Sequence, residues 1–212
     1  IIMKNFIRII AGSVLLFWST VQAEIQFGVG LLAGQAETSG TETEGTAADT
    51  SDRSKTIKES FVGADLFIEY ITDGGYTVGV NYVPMDVELG NGSRTDISGD
   101  GSENDSGTRT AAADITDLVT VYANVPMGSN GWYGLLGYHT TTVTTTETLN
   151  ESSYGNADID GYQIGIGKRA GSVKMELAYS DFDDISLTAT GGGTNTIAAD
   201  ADAMTFRLSY GF

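Results

Sequence analysis

Five ionisable side chains sit at even spacings inside runs that are otherwise apolar, polar or small: Asp65 and Glu69 within Phe61 to Ile71, Lys174 and Glu176 within Val173 to Ser180, and Arg207 within Met204 to Phe212. Charges held this way on one face can pair with one another, because a lone buried charge is costly, or they can line a path for ions. The chain's one histidine, His139, precedes Thr140 to Thr142, and a base beside a hydroxyl is the beginning of an acyl-transfer site. A structural histidine held by hydrogen bonds is the plainer reading. Asp96, Asp100, Glu103 and Asp105 offer hard oxygen ligands of the kind calcium takes, yet their spacing does not fit an EF-hand, so a solvated acidic loop is expected rather than a metal site. Gly28 to Ala33 and Gly165 to Ala170 match a loose dinucleotide fingerprint. Neither opens a helix, so no nucleotide and no other cofactor is expected.

Composition narrows the setting. The 212 residues carry 28 acids against 11 bases, a formal charge of −17, which excludes nucleic acid as a partner bound through its phosphates. With no cysteine, disulfide scaffolds and thiol chemistry are excluded too. After Met3 come Lys4 and Arg8, an apolar stretch from about Ile9 to Trp18, and Ser19-Thr20-Val21-Gln22-Ala23. This is the pattern of a secretory signal cleaved after Ala23, and it leaves residues 24–212 as one domain. Nothing beyond it has the roughly 20 consecutive apolar residues of a membrane-spanning helix.

What recurs instead is strict alternation, the period of a strand with one face in an apolar medium. Eight segments show it: Ile25 to Gln35, Phe61 to Ile71, Tyr76 to about Met85, about Asp117 to Val125, Trp132 to about Thr142, Gly161 to Lys168, Val173 to about Ser180, and Met204 to Phe212. In the second, Val62, Ala64, Leu66, Ile68 and Tyr70 share one face while Asp65, Phe67 and Glu69 share the other. In the fifth, Trp132, Leu136 and Tyr138 facing outward puts His139 inward. Three connections are short and turn-like, Thr72 to Gly75, Pro126 to Gly131 and Arg169 to Ser172. The other four, about Ala36 to Ser60, Asp86 to Thr116, Val143 to Asp160 and Asp181 to Ala203, are long, acidic and rich in Gly, Ser and Thr.

The bilayer accounts for both regularities. Without water to satisfy the backbone, β-structure crosses a membrane only as a closed barrel, with apolar residues toward lipid and polar ones toward the lumen. Short turns on one side and long loops on the other fit such a barrel. An all-β, transmembrane, antiparallel up-and-down barrel of eight strands is therefore expected. Inward glycines such as Gly28, Gly30, Gly165, Gly167 and Gly211 make room for larger inward groups including Tyr122, Gln163 and Arg207. Tyr70, Tyr76, Trp132, Tyr138 and Tyr210 suit aromatic girdles. Thr140 to Leu149 and Ile185 to Thr190 read as strand extensions above the membrane, with a ninth and tenth strand as the alternative.

The closing run Met204 to Phe212, with Phe206, Leu208, Tyr210 and a terminal Phe212 on one face, resembles the last strand of bacterial outer-membrane barrels. Together with Val173 to Tyr179 it makes the whole of residues 24–212 similar to the small eight-stranded OmpA/OmpX/opacity-type barrels. The resemblance implies an outer-membrane location and a recognition mark, formed by those four residues, for the barrel-assembly machinery, with periplasmic chaperones on the way. It implies lipid and lipopolysaccharide as surroundings. Lys174 and Glu176 stand where that family's seventh strand has an inward Arg and Glu, whereas Asn81, Tyr122 and Gly167 stand where its central network is charged. No counterpart of the peptidoglycan-binding domain of full-length members is present, so tethering to the wall is not expected. The functional expectation is a structural, surface-exposed barrel whose loops contact an extracellular ligand. A small channel is the alternative, and a lipid A-modifying enzyme a distant third, because His139 faces the lumen.

Overall fold

The computed structural model describes residues 24–43, 52–96, 107–148, 152–191 and 195–212. The expected signal segment, and Asp100, Glu103 and Asp105, lie outside them. The elements are β1 (Glu24–Thr43), β2 (Asp52–Ile71), β3 (Thr77–Val83), β4 (Val87–Asp96), β5 (Gly107–Pro126), β6 (Trp132–Glu147), β7 (Ser152–Ser153), β8 (Ala157–Ala170), β9 (Val173–Phe182), β10 (Ile185–Thr188), β11 (Thr190–Gly191) and β12 (Thr196–Gly211). Eight of them form an antiparallel ring in the order β1-β2-β3-β5-β6-β8-β9-β12, closed by β12 on β1. Closure is registered by Gly28 opposite Gly211 and Leu31 opposite Leu208, and continues past the ladder where Phe27 and Phe212 exchange backbone hydrogen bonds at 3.3 and 2.8 Å. β4 and β10 prolong the wall above β3 and β9, pairing with β5 and β12. Thr140 to Glu147, the part of the first expected extension that lies in β6, and Ile185 to Thr188 are accordingly extensions and not extra staves.

The four long connections prove far shorter than their composition suggests. β1, β2 and β5 each run 20 residues, about twice what crosses a bilayer. Threonine is a good strand former, and pairs of hydroxyls link these extensions across strands: Ser39 with Thr56 at 2.9 Å, Thr41 with Ser54 at 2.8 Å, Thr110 with Thr148 at 2.7 Å. On the opposite side, Ala170 ends β8, so the third tight turn is only Gly171 and Ser172.

Along this wall the two faces exchange character. In the lower half the exposed face is apolar: Phe27, Val29 and Leu31 on β1, Leu66 and Ile68 on β2, Ile164 and Ile166 on β8, Phe206 and Leu208 on β12. Tyr76, Trp132 and Tyr210 face out at strand ends, as girdles require. In the upper half the exposed face is hydroxylic and acidic, while Ala36, Leu89, Ile115, Val143, Ile159, Phe182, Ile185, Leu187, Ala201 and Ala203 pack into one buried apolar cluster. The expectation of a polar lumen throughout is therefore corrected: it holds below and reverses above, because water bathes the outside of the extensions and their apolar residues can only turn inward. Two bulges accompany the change. At Asp117, with φ 54°, the β5–β6 register slips by one residue, and a second slip falls between Glu88 and Gly90 on β4. A one-residue slip moves every later side chain to the other face, so Tyr122 and Thr120 point inward below while Ile115 does so above.

Candidate functional site

All five sequence-predicted charges meet in the lower lumen. Arg207 on β12 holds Asp65 of β2 through Nε at 2.6 Å and Nη2 at 3.0 Å, reaching across β1, and donates from Nη1 to Glu176 of β9 at 2.7 Å. Lys174 donates from Nζ to Glu69 Oε2 at 2.6 Å. A sixth member was not anticipated: Arg169 donates from Nη2 to Glu69 Oε1 at 2.6 Å and from Nη1 to Gln26 at 3.1 Å. Three cations and three carboxylates therefore balance.

Neutral groups satisfy the remaining acceptors. The hydroxyls of Tyr122 and Tyr133 donate to Glu69 and Glu176 at 2.9 and 2.8 Å, and Asn81 donates to Asp65 at 3.1 Å. Asn81 and Tyr122, the apparent departures from a charged network, are thus part of this one. The Phe67 ring lies between the two halves, 4.2 Å from Lys174 Nζ and 4.8 Å from the Arg207 guanidinium, close enough for cation–π attraction to both. Glycine makes the assembly possible. A Cβ on Gly30 would collide with Asp65, and one on Gly167 with the Tyr133 ring.

Above the network sits His139, 3% exposed. Its Nδ1 shares a hydrogen with Thr120 Oγ1 at 2.7 Å and its Nε2 with Ser180 Oγ at 2.9 Å, while the ring stacks on Phe182. The hydroxyl partners are Thr120 and Ser180, not Thr140 to Thr142 as its neighbours in sequence suggested. Gly161, opposite His139 in the β6–β8 ladder, leaves the ring free to cross to β9.

Higher still the lumen is hollow. A small void of about 80 Å³ lies against Arg207, Tyr122, His139 and the apolar residues Val83, Val87 and Ala201. Leu89 borders both this void and a larger cavity of about 450 Å³ walled by Val143, Tyr154, Ile185, Leu187, Ile197 and Ala113. At its rim Glu42 accepts from the Tyr154 hydroxyl at 3.0 Å and from Asn195 at 3.2 Å. Burial and the Glu42 carboxylate push the Tyr154 hydroxyl well above its ordinary value. Among the described residues no group of three or more His, Cys, Asp or Glu could hold a metal. Asp96 ends β4, with the other three acids of its run outside the described residues.

The residues expected to form an assembly signal lie on the outward face of the closing strand. Phe206, Leu208, Tyr210 and Phe212 are all exposed on the outer face of β12 and its end. No protein-family model matches the chain, and no curated protein matches it. Among solved structures, the outer membrane protein OprG of Pseudomonas aeruginosa superposes with TM-score 0.50 at 12% identity, over 87% of this chain and 96% of its own. The fold is that of an outer-membrane β-barrel. Ail, the attachment invasion locus protein of Yersinia pestis, solved with the heparin analogue sucrose octasulfate, aligns at 12% identity and TM-score 0.34 over 85% of this barrel and 98% of its own chain. Within the barrel, the ion network and the hollow upper lumen are the two places where side chains are organised beyond what a wall needs.

Proposed function

We propose that this barrel is a sealed outer-membrane protein with a structural and surface-interaction role, and that the ion network is its plug. The observation that carries the reading is the closed set of Asp65, Glu69, Arg169, Lys174, Glu176 and Arg207 around Phe67. Side chains occupy the narrow lower lumen, as they can in an eight-stranded barrel, and six balanced charges leave no unmatched group there to favour passage of either sign. What remains for function is the upper half, an acidic, hydroxyl-rich collar carried beyond the lipid on long strands. Its ligand is extracellular, with lipopolysaccharide as the immediate neighbour. Cleavage after Ala23, and recognition of Phe206, Leu208, Tyr210 and Phe212 by the assembly machinery and its chaperones, belong to the same reading. His139 faces the interior, away from lipid A, which does not support the enzyme alternative.

The test is single-channel recording of residues 24–212 refolded into a planar lipid bilayer, folding being checked by heat-modifiable mobility. The expected trace is silent, and Arg207→Ala, which opens the Asp65–Glu176 closure, restores discrete steps. Reproducible steps from the unmodified barrel would put the channel reading in its place.

A further inference from the structure

His139 makes no bond to the ion network, and neither do the two hydroxyls that hold it. Thr120 stands opposite it in the β5–β6 ladder, 2.7 Å from Nδ1, while Ser180 of β9 lies two strands away in the ring, 2.9 Å from Nε2. The intervening β8 crosses this level with Gly161, and Phe182 stacks on the imidazole with 5.3 Å between centroids and 22° between planes, which fixes the plane in which both nitrogens point. On its other side Ser180 Oγ accepts from Gln163 Nε2 at 3.4 Å. With that donor in place the serine's own hydrogen is the one directed at Nε2, and Nδ1 carries its hydrogen toward Thr120. Serine, imidazole and threonine therefore stand in line, all three buried. The line opens onto space: Ser180, His139 and Gln163 border the void of about 80 Å³, with Leu118, Leu135 and Ala178 among its apolar walls and the Arg207 guanidinium beside it.

We propose that Ser180 and His139 form a catalytic dyad, with Thr120 as its positioning residue, that hydrolyses a short-chain acyl ester inside the lumen. The parts that acyl transfer requires are present: a nucleophile within hydrogen-bond reach of a base, a base oriented through its other nitrogen, and donors beside the point of attack. Ser180 Oγ passes its proton to His139 Nε2 as the oxygen adds to the acyl carbon. The Gln163 amide and the Arg207 charge border the space where the carbonyl oxygen becomes negative. The bond from the acyl carbon to the alcohol oxygen then breaks, and His139 gives its proton to the departing alcohol. Water repeats the sequence, its proton going to Nε2 and its oxygen to the acyl carbon, and frees Ser180 and the carboxylic acid. Size sets the substrate class: 80 Å³, against about 30 Å³ for one water in the liquid, admits an acetyl or propionyl group and not a long chain. The substrate is one that enters the lumen from its extracellular end, Leu89 bordering both this void and the larger cavity, so lipid A outside the wall is not it. The plug lies below and passes nothing in this reaction, so the inference goes beyond the sealed-barrel reading.

The experiment uses residues 24–212 in phosphatidylcholine nanodiscs, with empty discs subtracted and folding of every variant checked by heat-modifiable mobility. Methanesulfonyl fluoride, a serine reagent small enough for the void, should place one sulfonyl group on Ser180, mapped by mass, with fluoride leaving and the proton passing to His139. His139→Gln keeps a hydrogen-bonding side chain without a base and should slow that labelling about a hundredfold. p-Nitrophenyl acetate should be hydrolysed by the unmodified barrel, and by Ser180→Ala no faster than by empty discs. Thr120→Val should lower kcat about tenfold with KM held, a split that lost packing alone does not give, and Thr120→Ser should restore it. Ser180 left unlabelled in the folded barrel, labelling as fast in folded His139→Gln, or hydrolysis unchanged in folded Ser180→Ala each overturns the dyad and leaves a structural histidine. The bilayer trace reads the plug independently. A silent barrel that hydrolyses nothing refutes the dyad alone, and a conducting barrel that hydrolyses the ester refutes the sealed reading alone.

Discussion

The lower and upper halves of this barrel are built on the same strands by opposite rules. β12 shows the change within one stretch: Phe206 and Leu208 face out with Arg207 between them facing in, and four residues earlier Asp202 and Asp200 stand on the outer face while Ala203 and Ala201 are buried. Below the boundary the surroundings are lipid, so apolar groups go outward at little cost and the interior is left to charges that must satisfy one another. Above it the surroundings are water, and the same alternation is stable only with its polarity reversed. The lesson is that strand period fixes which residues share a face, and the solvent outside decides which face is apolar.

The largest effect is expected where pairing is obligatory. Glu69→Ala strips the carboxylate from both Lys174 and Arg169, leaving two cations in a closed lumen, and should cost about 3–5 kcal/mol in urea unfolding from lipid vesicles. A loss below about 1 kcal/mol would mean that lumen water solvates those cations and that the plug is loose.

The upper half should respond as an ordinary protein core does. Ile159→Ala removes a buried side chain from the apolar cluster and is expected to cost about 2–5 kcal/mol, with hydrogen exchange rising first in the extensions and not in the belt. Exchange rising equally in both halves would show that they unfold as one unit and that the boundary is only chemical.

A matched pair of substitutions locates the boundary itself. Val29→Arg, at the centre of the apolar belt on β1, should cost about 2–4 kcal/mol, as arginine does on a lipid face. Ser39→Arg, on the same outer face ten residues further up, should change stability by no more than about 0.5 kcal/mol. Similar costs at both sites would move the lipid boundary up the barrel and undo the contrast.

Half of this was legible in the residues. The parity of Asp65, Glu69, Lys174, Glu176 and Arg207 placed them on one inner face, and the strand order brought Arg207 within reach of both carboxylate partners. Arg169 was hidden by being taken for a turn, although it shares parity with Gln163, Gly165 and Gly167, and although five charges summing to −1 needed one more cation. The upper core was missed for a different reason. Ile185 to Thr190 is legible as a strand extension, but not that its apolar residues turn inward, and Ile197, Ala199, Ala201 and Ala203 alternate in a background of Thr, Ser and Asp whose composition reads as loop. The slips at Asp117 and Gly90 then break the parity count that would have joined β4 and β5 to the rest. Of the two partners of His139, Thr120 stands opposite it on the neighbouring strand, but Ser180 lay beyond any such count, since it reaches the ring across an intervening strand.

The smallest expected effect bears on the rim of the upper half, where the acidic collar is crowded. Glu88 and Asp114 stand directly opposite one another in the β4–β5 ladder, and burial first, then the charges of Asp86 and Glu88, hold the Asp114 carboxyl above its ordinary value. An acid whose value is raised by folding takes up its proton more readily in the folded state than in the unfolded one. The strain it causes is therefore fully present above the raised value, and is relieved as pH falls through that value toward the ordinary carboxylate range. The upper half should accordingly tighten on acidification from pH 7 to about pH 4, a window whose lower end is set by the ordinary aspartate value of 3.8. Asp114→Asn should gain about 0.2–0.5 kcal/mol at pH 7 and remove part of that pH dependence, read by hydrogen exchange of the β4–β5 ladder. Val29→Arg, deep in the belt, should leave the pH profile of that ladder where it was. If acid instead loosens β4 and β5 in the unmodified barrel, like-charge crowding is not what limits the rim, and the carboxylates there act as acceptors that hold the collar together.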